Sequence, residues 1–270
     1  MELKKLSVII PGILLSTSSV IAQEYQSFSS IGFTKIDNLR SYNTTAIDTT
    51  YFFEKKQVLG PLDQLKYINT ASNVFGNYSH SDNSDNVSAG GSIFIENLVV
   101  GGAYSYADYD SGSADNYSAR LGYLFSENFI VNAYANKSEG VDTDYRFSAS
   151  YNHQLTGNDY IGFTYSSDDD FDYQMLSSTY FRSLAGGQYL VAALTYQDND
   201  DFDNDLGGNL SFYFNNKTSL SASYDDDDNF SIGAQHFFSQ NYSLSLRYQS
   251  NSSHELNDYD IYSVNVNAQF

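Results

Sequence analysis

Residues 258–270 read D-Y-D-I-Y-S-V-N-V-N-A-Q-F, and this stretch decides the fold. Apolar side chains recur at every second position from Tyr262 to Phe270, and polar side chains fill the positions between them. Strict period-two alternation predicts a β-strand with one apolar face and one water-facing face. Because a soluble protein rarely ends on a strand with an exposed aromatic residue, we expect the apolar face to meet lipid or a core.

The same alternation recurs along most of the chain. It is clearest at 116–125, 144–152, 219–224 and 242–248. Most of the alternating segments are close to the length of a tilted membrane strand, about 9–11 residues. We predict an all-β fold, a transmembrane antiparallel up-and-down β-barrel of about 16 strands. The predicted strands are 25–36, 43–54, 69–81, 86–96, 98–108, 114–125, 128–137, 143–154, 159–167, 172–184, 188–197, 205–215, 217–225, 228–238, 241–251 and 258–270.

Two kinds of connection alternate between these segments. One kind is as short as a tight hairpin turn, for example 96–97, 126–128 and 215–216. The other kind is longer and acidic. Its strict alternation with the short turns indicates a barrel with turns at one end and acidic loops at the other. The exception is the connection 55–68 with Gly60-Pro61-Leu62, which is long but lies on the side of the short turns. The acidic loops carry Asp168, Asp169, Asp170, Asp200, Asp201, Asp203, Asp225, Asp226, Asp227 and Asp228.

Residues 1–22 have the three parts of a secretory signal. Lys4 and Lys5 precede an apolar run over 6–15, and Val20 and Ala22 occupy the small-residue positions of a cleavage site. The alternative is a transmembrane anchor, but the run is well short of the roughly 20 residues that such a helix needs. We expect 1–22 to be cleaved and 23–270 to form a single outer-membrane β-barrel domain.

Composition excludes several classes of protein. The chain has 13 Lys and Arg against 33 Asp and Glu, and a net charge of −20 argues against nucleic-acid binding, which needs a basic surface. It has no Cys, so an exported form has no disulfide bonds to stabilise it.

Four arginines fall on the polar register of their predicted strands. An Arg that faces lipid near the middle of the membrane costs about 2–4 kcal/mol, so we expect these residues to line the pore. They form a basic wall that shapes the field inside the lumen, or they pair with lumen carboxylates such as Asp144. The pore-lining candidates are Arg120, Arg146, Arg182, Arg247 and Asp144.

The acidic loops do not match a calcium-binding motif. An EF-hand aligned on Asp201 has Leu206 where Gly is needed and Phe212 where the final Glu is needed. We expect solvated loops that weakly attract divalent cations, that bridge through them to lipopolysaccharide phosphates, or that enrich cations at the pore mouth.

The residues also predict no enzyme. None of the four histidines, His80, His153, His236 and His254, neighbours a Ser in an active-site motif such as a nucleophile elbow. We therefore predict no catalytic residue, no cofactor and no specific metal site.

The terminal strand resembles that of bacterial outer-membrane β-barrels, which end in an aromatic residue read by the barrel-assembly machinery. Phe270 holds that position, although Ala268 stands where many relatives have Tyr. Tyr51-Phe52-Phe53 followed by Gly60-Pro61-Leu62 is similar to a motif of one porin family in the general-porin superfamily. The resemblance implies an outer-membrane channel surrounded by lipid and lipopolysaccharide, passive diffusion of small hydrophilic solutes and ions, and often a homotrimer.

General porins fold a long third external loop into the barrel as a constriction. The corresponding stretch here, 108–116, is too short to do so. We therefore expect a water-filled lumen with no inserted loop. Two other functions stay open, a structural or adhesive outer-membrane barrel without an open pore and an outer-membrane barrel enzyme.

Overall fold

The computed structural model describes residues 23–37, 41–200, 202–251 and 259–270, with side chains throughout except at 202 and 203. The predicted signal segment 1–22, Asp201, the side chain of Asp203, and His254 lie outside the described residues. None of the described residues forms a helix long and apolar enough to span a membrane.

The described chain forms 16 antiparallel strands, and each strand pairs with its neighbour in sequence. β1 also pairs with β16, with Phe33 opposite Val264, so the sheet closes into a barrel. This confirms the predicted fold and strand number. The strands are β1 Glu24–Asp37, β2 Tyr42–Gln57, β3 Asn73–Ser81, β4 Ser84–Ile95, β5 Leu98–Tyr109, β6 Gly112–Ser126, β7 Phe129–Ser138, β8 Asp144–Gln154, β9 Tyr160–Asp168, β10 Tyr173–Ser183, β11 Tyr189–Asn199, β12 Phe202–Asn215, β13 Thr218–Asp225, β14 Asn229–Phe237, β15 Tyr242–Asn251 and β16 Tyr259–Gln269.

The alternation places apolar side chains on the outer surface of the barrel. On β16, Tyr262, Val264 and Val266 are exposed outward, while Asn265 lies on the inner face beside Gly32 of β1. In a barrel of this size the inward polar residues line a space wide enough for water. The polar lining therefore faces a lumen, and the apolar band faces lipid.

The two ends of the barrel differ. The first and last described residues lie at one end of the barrel, which we call the turn end. The connections at this end include 96–97, 127–128, 184–188 and 216–217. At the acidic end lie connections that include 110–111, 139–143, 169–172 and 226–228. The predicted gathering of the acidic connections at one end is present among the described residues. The predicted difference in length is wrong, since 110–111 at the acidic end is as short as 96–97 and 184–188 at the turn end is longer.

Residues 58–72, between β2 and β3, fold into the lumen from the turn end. We call them the inward segment. Leu62 is only 1% exposed, and Ile68 packs against inward side chains of three strands, Val99, Leu124 and Ile130. Two predictions are therefore wrong: β3 begins at Asn73 rather than at 69, and the barrel does contain an inserted segment. Backbone groups of this stretch find partners outside a strand ladder, such as the Asn216 carbonyl for the Leu62 amide and the Gln64 carbonyl for the Leu59 amide.

Candidate functional site

The lumen wall is built from hydroxyl and amide side chains. Across β13 and β14, Ser223 and Ser231 are hydrogen-bonded at 2.7 Å, and across β8 and β9, Ser150 and Thr164 are hydrogen-bonded at 2.8 Å. Side chains of this kind bond each other or water with small cost, so the wall suits a water-filled path.

Arg120 and Arg146 lie on the inner register of β6 and β8. Arg120 donates from Nε and Nη2 to Oδ1 of Asn132 at 2.9 and 2.7 Å, and its guanidinium lies 5.8 Å from the ring centre of Tyr134. Arg146 donates to Asp144 at 2.9 Å and lies 5.2 Å from the ring centre of Tyr173. Arg120 is therefore held by an amide, whereas Arg146 is neutralised by a carboxylate.

Arg247 also lies on the inner face. Its direct cross-strand neighbours are Gly233 on β14 and Ser263 on β16. Neither neighbour carries a charge, so the register gives this guanidinium no carboxylate partner.

Arg182 faces outward, and the prediction that it lies in the lumen is wrong. It shares the outer register of β10 with Leu176, which is 50% exposed, and its Nη1 lies 3.3 Å from the hydroxyl of Tyr180. Phe181 points inward instead, fully buried and stacked on Tyr160. At the turn end of its strand, near the membrane interface, an outward Arg costs only about 0–1 kcal/mol.

Hydrogen bonds to the main chain of Leu62 attach the inward segment to β16 and to the turn after β12. The Leu62 amide donates to the carbonyl of Asn216 at 3.0 Å, and Nε2 of Gln269 donates to the carbonyl of Leu62 at 3.1 Å. The segment therefore crosses from β2 to the turn after β12 and to β16.

Its return path is attached to β9. Gln64 Nε2 donates to the hydroxyl of Tyr160 at 2.9 Å, and the hydroxyl of Tyr67 is hydrogen-bonded to Thr164 at 2.7 Å. Earlier in the segment, Gly60 has φ +145°, and a Cβ there would lie 2.4 Å from the ring of Tyr189. Only glycine fits that position in both backbone conformation and space.

Asp63 is the acidic residue that the inward segment presents beside the wall of β12. The hydroxyl of Tyr213 donates to its carboxylate at 3.3 Å. Desolvation within the barrel raises the pKa of Asp63, and the hydrogen bond from Tyr213 partly opposes this shift. The side chain nevertheless meets water on its lumen side. Asp63 is a functional candidate that the sequence reasoning missed; the available signal was the Gly60-Pro61-Leu62 turn inside a connection without alternation.

Several predicted carboxylates at the acidic end organise their own turns. Asp168 accepts the amide of Tyr173, and Asp225 accepts the amide of Asn229 at 2.9 Å. The amide of Leu206 donates to Asp226 at 2.8 Å and lowers the pKa of that carboxyl. The remaining exposed turn positions with described side chains are Asp169, Asp170, Asp200, Asp227 and Asp228. In the described part of the chain, no three His, Cys, Asp or Glu side chains are arranged to hold a metal ion.

The three described histidines do not meet in the lumen. His80, His153 and His236 occupy outward registers on β3, β8 and β14, opposite Thr45, Ile161 and Leu244 respectively. The structure therefore brings none of them to an inward hydroxyl with which it could activate a nucleophile.

The last residue closes the barrel. The Phe270 amide donates to the carbonyl of Ser27 at 2.8 Å, and its own carbonyl accepts the amide of Ser27 at 2.7 Å. The ring lies outside, in edge-on contact with Tyr242 at 5.7 Å between centroids. Phe270 therefore joins β1 to the end of β16 and contributes to the aromatic band at the turn end.

A closed barrel of 16 strands, apolar outside and polar inside, defines a porin-type channel of the bacterial outer membrane. The chain belongs to the family described as putative general bacterial porins, which it matches over residues 3–270. Its function is that of an outer-membrane channel for passive diffusion of solutes, and the family consists of channels rather than enzymes.

Solved structures support the fold. The outer membrane protein Omp33 of Acinetobacter baumannii is similar with a TM-score of 0.61 and 17% identity, over 93% of this chain and 100% of that one. A Rhodopseudomonas blastica porin triple mutant has a TM-score of 0.53 and 11% identity, over 91% and 99% of the two chains. OpdQ of Pseudomonas aeruginosa has a TM-score of 0.53 and 8% identity, over 93% and 99%. No curated protein matches the sequence.

Proposed function

We propose that this porin conducts small hydrophilic solutes and ions through a lumen that the inward segment narrows at the turn end. The observation that carries the proposal is the position of residues 58–72, bound to β9, β16 and the turn after β12 while the wall beyond them stays polar. The constriction is thus supplied by a connection at the turn end, in contrast to the external loop of general porins.

The proposal includes an orientation and a route. The turn end faces the periplasm and the acidic loops face outward, after cleavage of 1–22 during export. The barrel-assembly machinery recognises the strand that ends in Phe270. The acidic loops attract divalent cations that bridge to lipopolysaccharide phosphates. The channel works without catalysis, and we propose a homotrimer as its assembled form on the family resemblance alone.

One observation favours the alternative of a structural barrel without an open pore. The inward segment buries Pro61 and Leu62 at the turn end, and Phe181 of β10 is fully buried between Tyr160 and Tyr189. Packing of that kind closes part of the cross-section.

Single-channel recording decides between the two functions. Refolded 23–270 is compared with a variant in which 59–70 is replaced by a short Gly-Ser linker. A narrowed channel predicts measurable conductance in the parent and a severalfold larger conductance in the variant. A silent parent that folds correctly, with a conducting variant, would favour the structural barrel.

A further inference from the structure

A cavity of about 450 Å³ lies between the inward segment and the inner wall of β12 to β16. Its volume falls in the range of small-molecule sites, about 300–1,000 Å³. Asp63 enters it from the inward segment and Arg247 from β15, and most of the remaining lining is hydroxyl and amide, including Asn209, Ser221 and Asn265.

Arg247 reaches this cavity without an ionic partner. Within the part of the chain that the structure describes, no carboxylate oxygen lies within 4.0 Å of a guanidinium nitrogen of Arg247, the distance that defines an ion pair. Arg146 differs, because Asp144 neutralises it. Next to Arg247, Gly233 has no side chain, and a Cβ there would lie 2.7 Å from the hydroxyl of Ser221. Gly233 thus lets the Ser221 hydroxyl approach the backbone of β14, and the room for a ligand is the cavity itself, which Arg247 and Ser221 both line.

Asp63 reaches the same cavity with one side-chain partner, the hydroxyl of Tyr213 at 3.3 Å. Its own backbone amide is a second partner. An ionised carboxylate has about four acceptor sites, so part of its hydrogen-bonding capacity remains for a ligand. Asp63 and Arg247 therefore present opposite charges to one space without bonding each other.

Their spacing selects the length of a ligand that touches both. Tyr213, which holds Asp63, is on β12, and Arg247 is on β15, three strands further around the wall. Through the register, Tyr213 is level with Ser245, so Arg247 also lies two residues further along β15. Three strand spacings of about 4.8 Å and two residue steps of about 3.4 Å put these positions roughly 16 Å apart at the backbone. Inward side chains of a closed barrel converge, so the charged groups are separated by less than that distance.

We propose that this cavity binds zwitterionic solutes of dipeptide size on their way through the channel. Arg247 receives the carboxylate through paired N–H donors, and Asp63 receives the ammonium group. A zwitterion has no net charge, so the acidic entrance does not repel it as it repels an anion. This inference rests on the proposed function and names the solute class that the lumen favours.

The test measures binding separately from conduction. Glycylglycine is titrated against the folded barrel in detergent, and its binding is followed by saturation-transfer NMR. The probes N-acetylglycylglycine, glycylglycinamide and arabinose lack the ammonium charge, the carboxylate charge and both charges respectively. Single-channel conductance in KCl is recorded on the same preparation.

Saturable binding of glycylglycine, weakened about tenfold or more by R247Q and by D63N, is the expected result. R146Q is the matched control, because it removes a lumen Arg that already has a carboxylate partner, and it should leave binding within about twofold. Heat-modifiable mobility on gels verifies that each variant is folded.

Binding that is equal for all four probes, or unchanged in both R247Q and D63N, overturns the inference. Failure of the proposed function has a different signature, the absence of conductance from folded protein. A barrel that conducts normally but does not bind glycylglycine disproves the zwitterion site alone.

Discussion

The ring of Tyr67 lies directly against the backbone of Gly162, and a Cβ on that glycine would stand 2.5 Å from the ring carbons. The Tyr67 hydroxyl is hydrogen-bonded to Thr164, two residues further along β9, at 2.7 Å. Ring and hydroxyl together hold the returning half of the inward segment against the wall, and the absence of one side chain makes this close approach feasible.

G162A should displace Tyr67 and loosen the inward segment. Overpacking of this kind costs about 1–3 kcal/mol. We expect a lower melting temperature in the heat-modifiability assay and a larger or noisier single-channel conductance. G207A is the control, since a Cβ at that inward position comes only to 3.4 Å of its nearest neighbour. Equal effects of the two substitutions would contradict the role assigned to Tyr67.

Removing lumen arginines should increase cation preference. R120A and R146A each take one positive charge from the inner wall, whereas R182A takes one from the outer surface. Reversal potentials in a KCl gradient should shift toward cation selectivity for the first two variants and stay near the parent value for R182A. A shift for R182A as large as that for R120A would contradict the assigned faces.

Neutralising the turn Asp225 to Asp228 should have the opposite effect. Asn at each position keeps an amide oxygen for the hydrogen bonds to Asn229 and Leu206 and removes the charge. The acidic entrance attracts cations over about 10 Å at 0.1 M salt, so the variant should lose cation preference at low salt and differ little at 1 M. An effect independent of salt would point to altered geometry instead.

Phe270 should contribute to assembly through both its backbone and its ring. Deleting it removes the hydrogen bonds to Ser27 and the contact with Tyr242, so we expect lower levels in the outer membrane and an envelope stress response. F270A keeps the backbone bonds and loses only the ring. Measuring both variants separates the contribution of barrel closure from that of recognition of the aromatic ring. Normal levels of folded barrel after deletion of Phe270 would contradict both contributions.

Asp63 should make stability depend on pH. Because desolvation raises its folded pKa above the unfolded value of about 3.9, the ionised form is the less favourable one in the folded barrel. The parent should therefore lose stability relative to D63N as pH rises from about 4 through the raised pKa, and the difference should then level off. Melting temperatures of both proteins at pH 4, 5, 6 and 7 measure this difference, which would be flat if Asp63 had an ordinary pKa.

The sequence by itself determined the strands, the closure and the two ends. Period-two alternation is a property of neighbouring residues, so it identifies strands wherever one face meets lipid and the other meets water. The terminal run from Tyr262 to Phe270 was sufficient to predict a strand with one apolar face and one water-facing face. The recurrence of acidic residues in every second connection was sufficient for the topology, although the connections do not differ in length as predicted. Predicted strand ends lie within a few residues of those observed.

Only the tertiary structure decided which side chains of β10 point into the lumen and which segment of the chain folds into it. On β10, Phe181 turns inward and Arg182 outward, and the Phe181 ring stacks on Tyr160 and Tyr189. Those two rings also meet Tyr67 and Gly60 of the inward segment, an aromatic surface inside the barrel that the local pattern does not reveal. The segment itself is held by partners far away in sequence, such as Gln269 for Leu62 and Tyr213 for Asp63. Contacts of that range depend on closure of the barrel, so the constriction and the opposed charges of Asp63 and Arg247 become visible only once the strands are assembled.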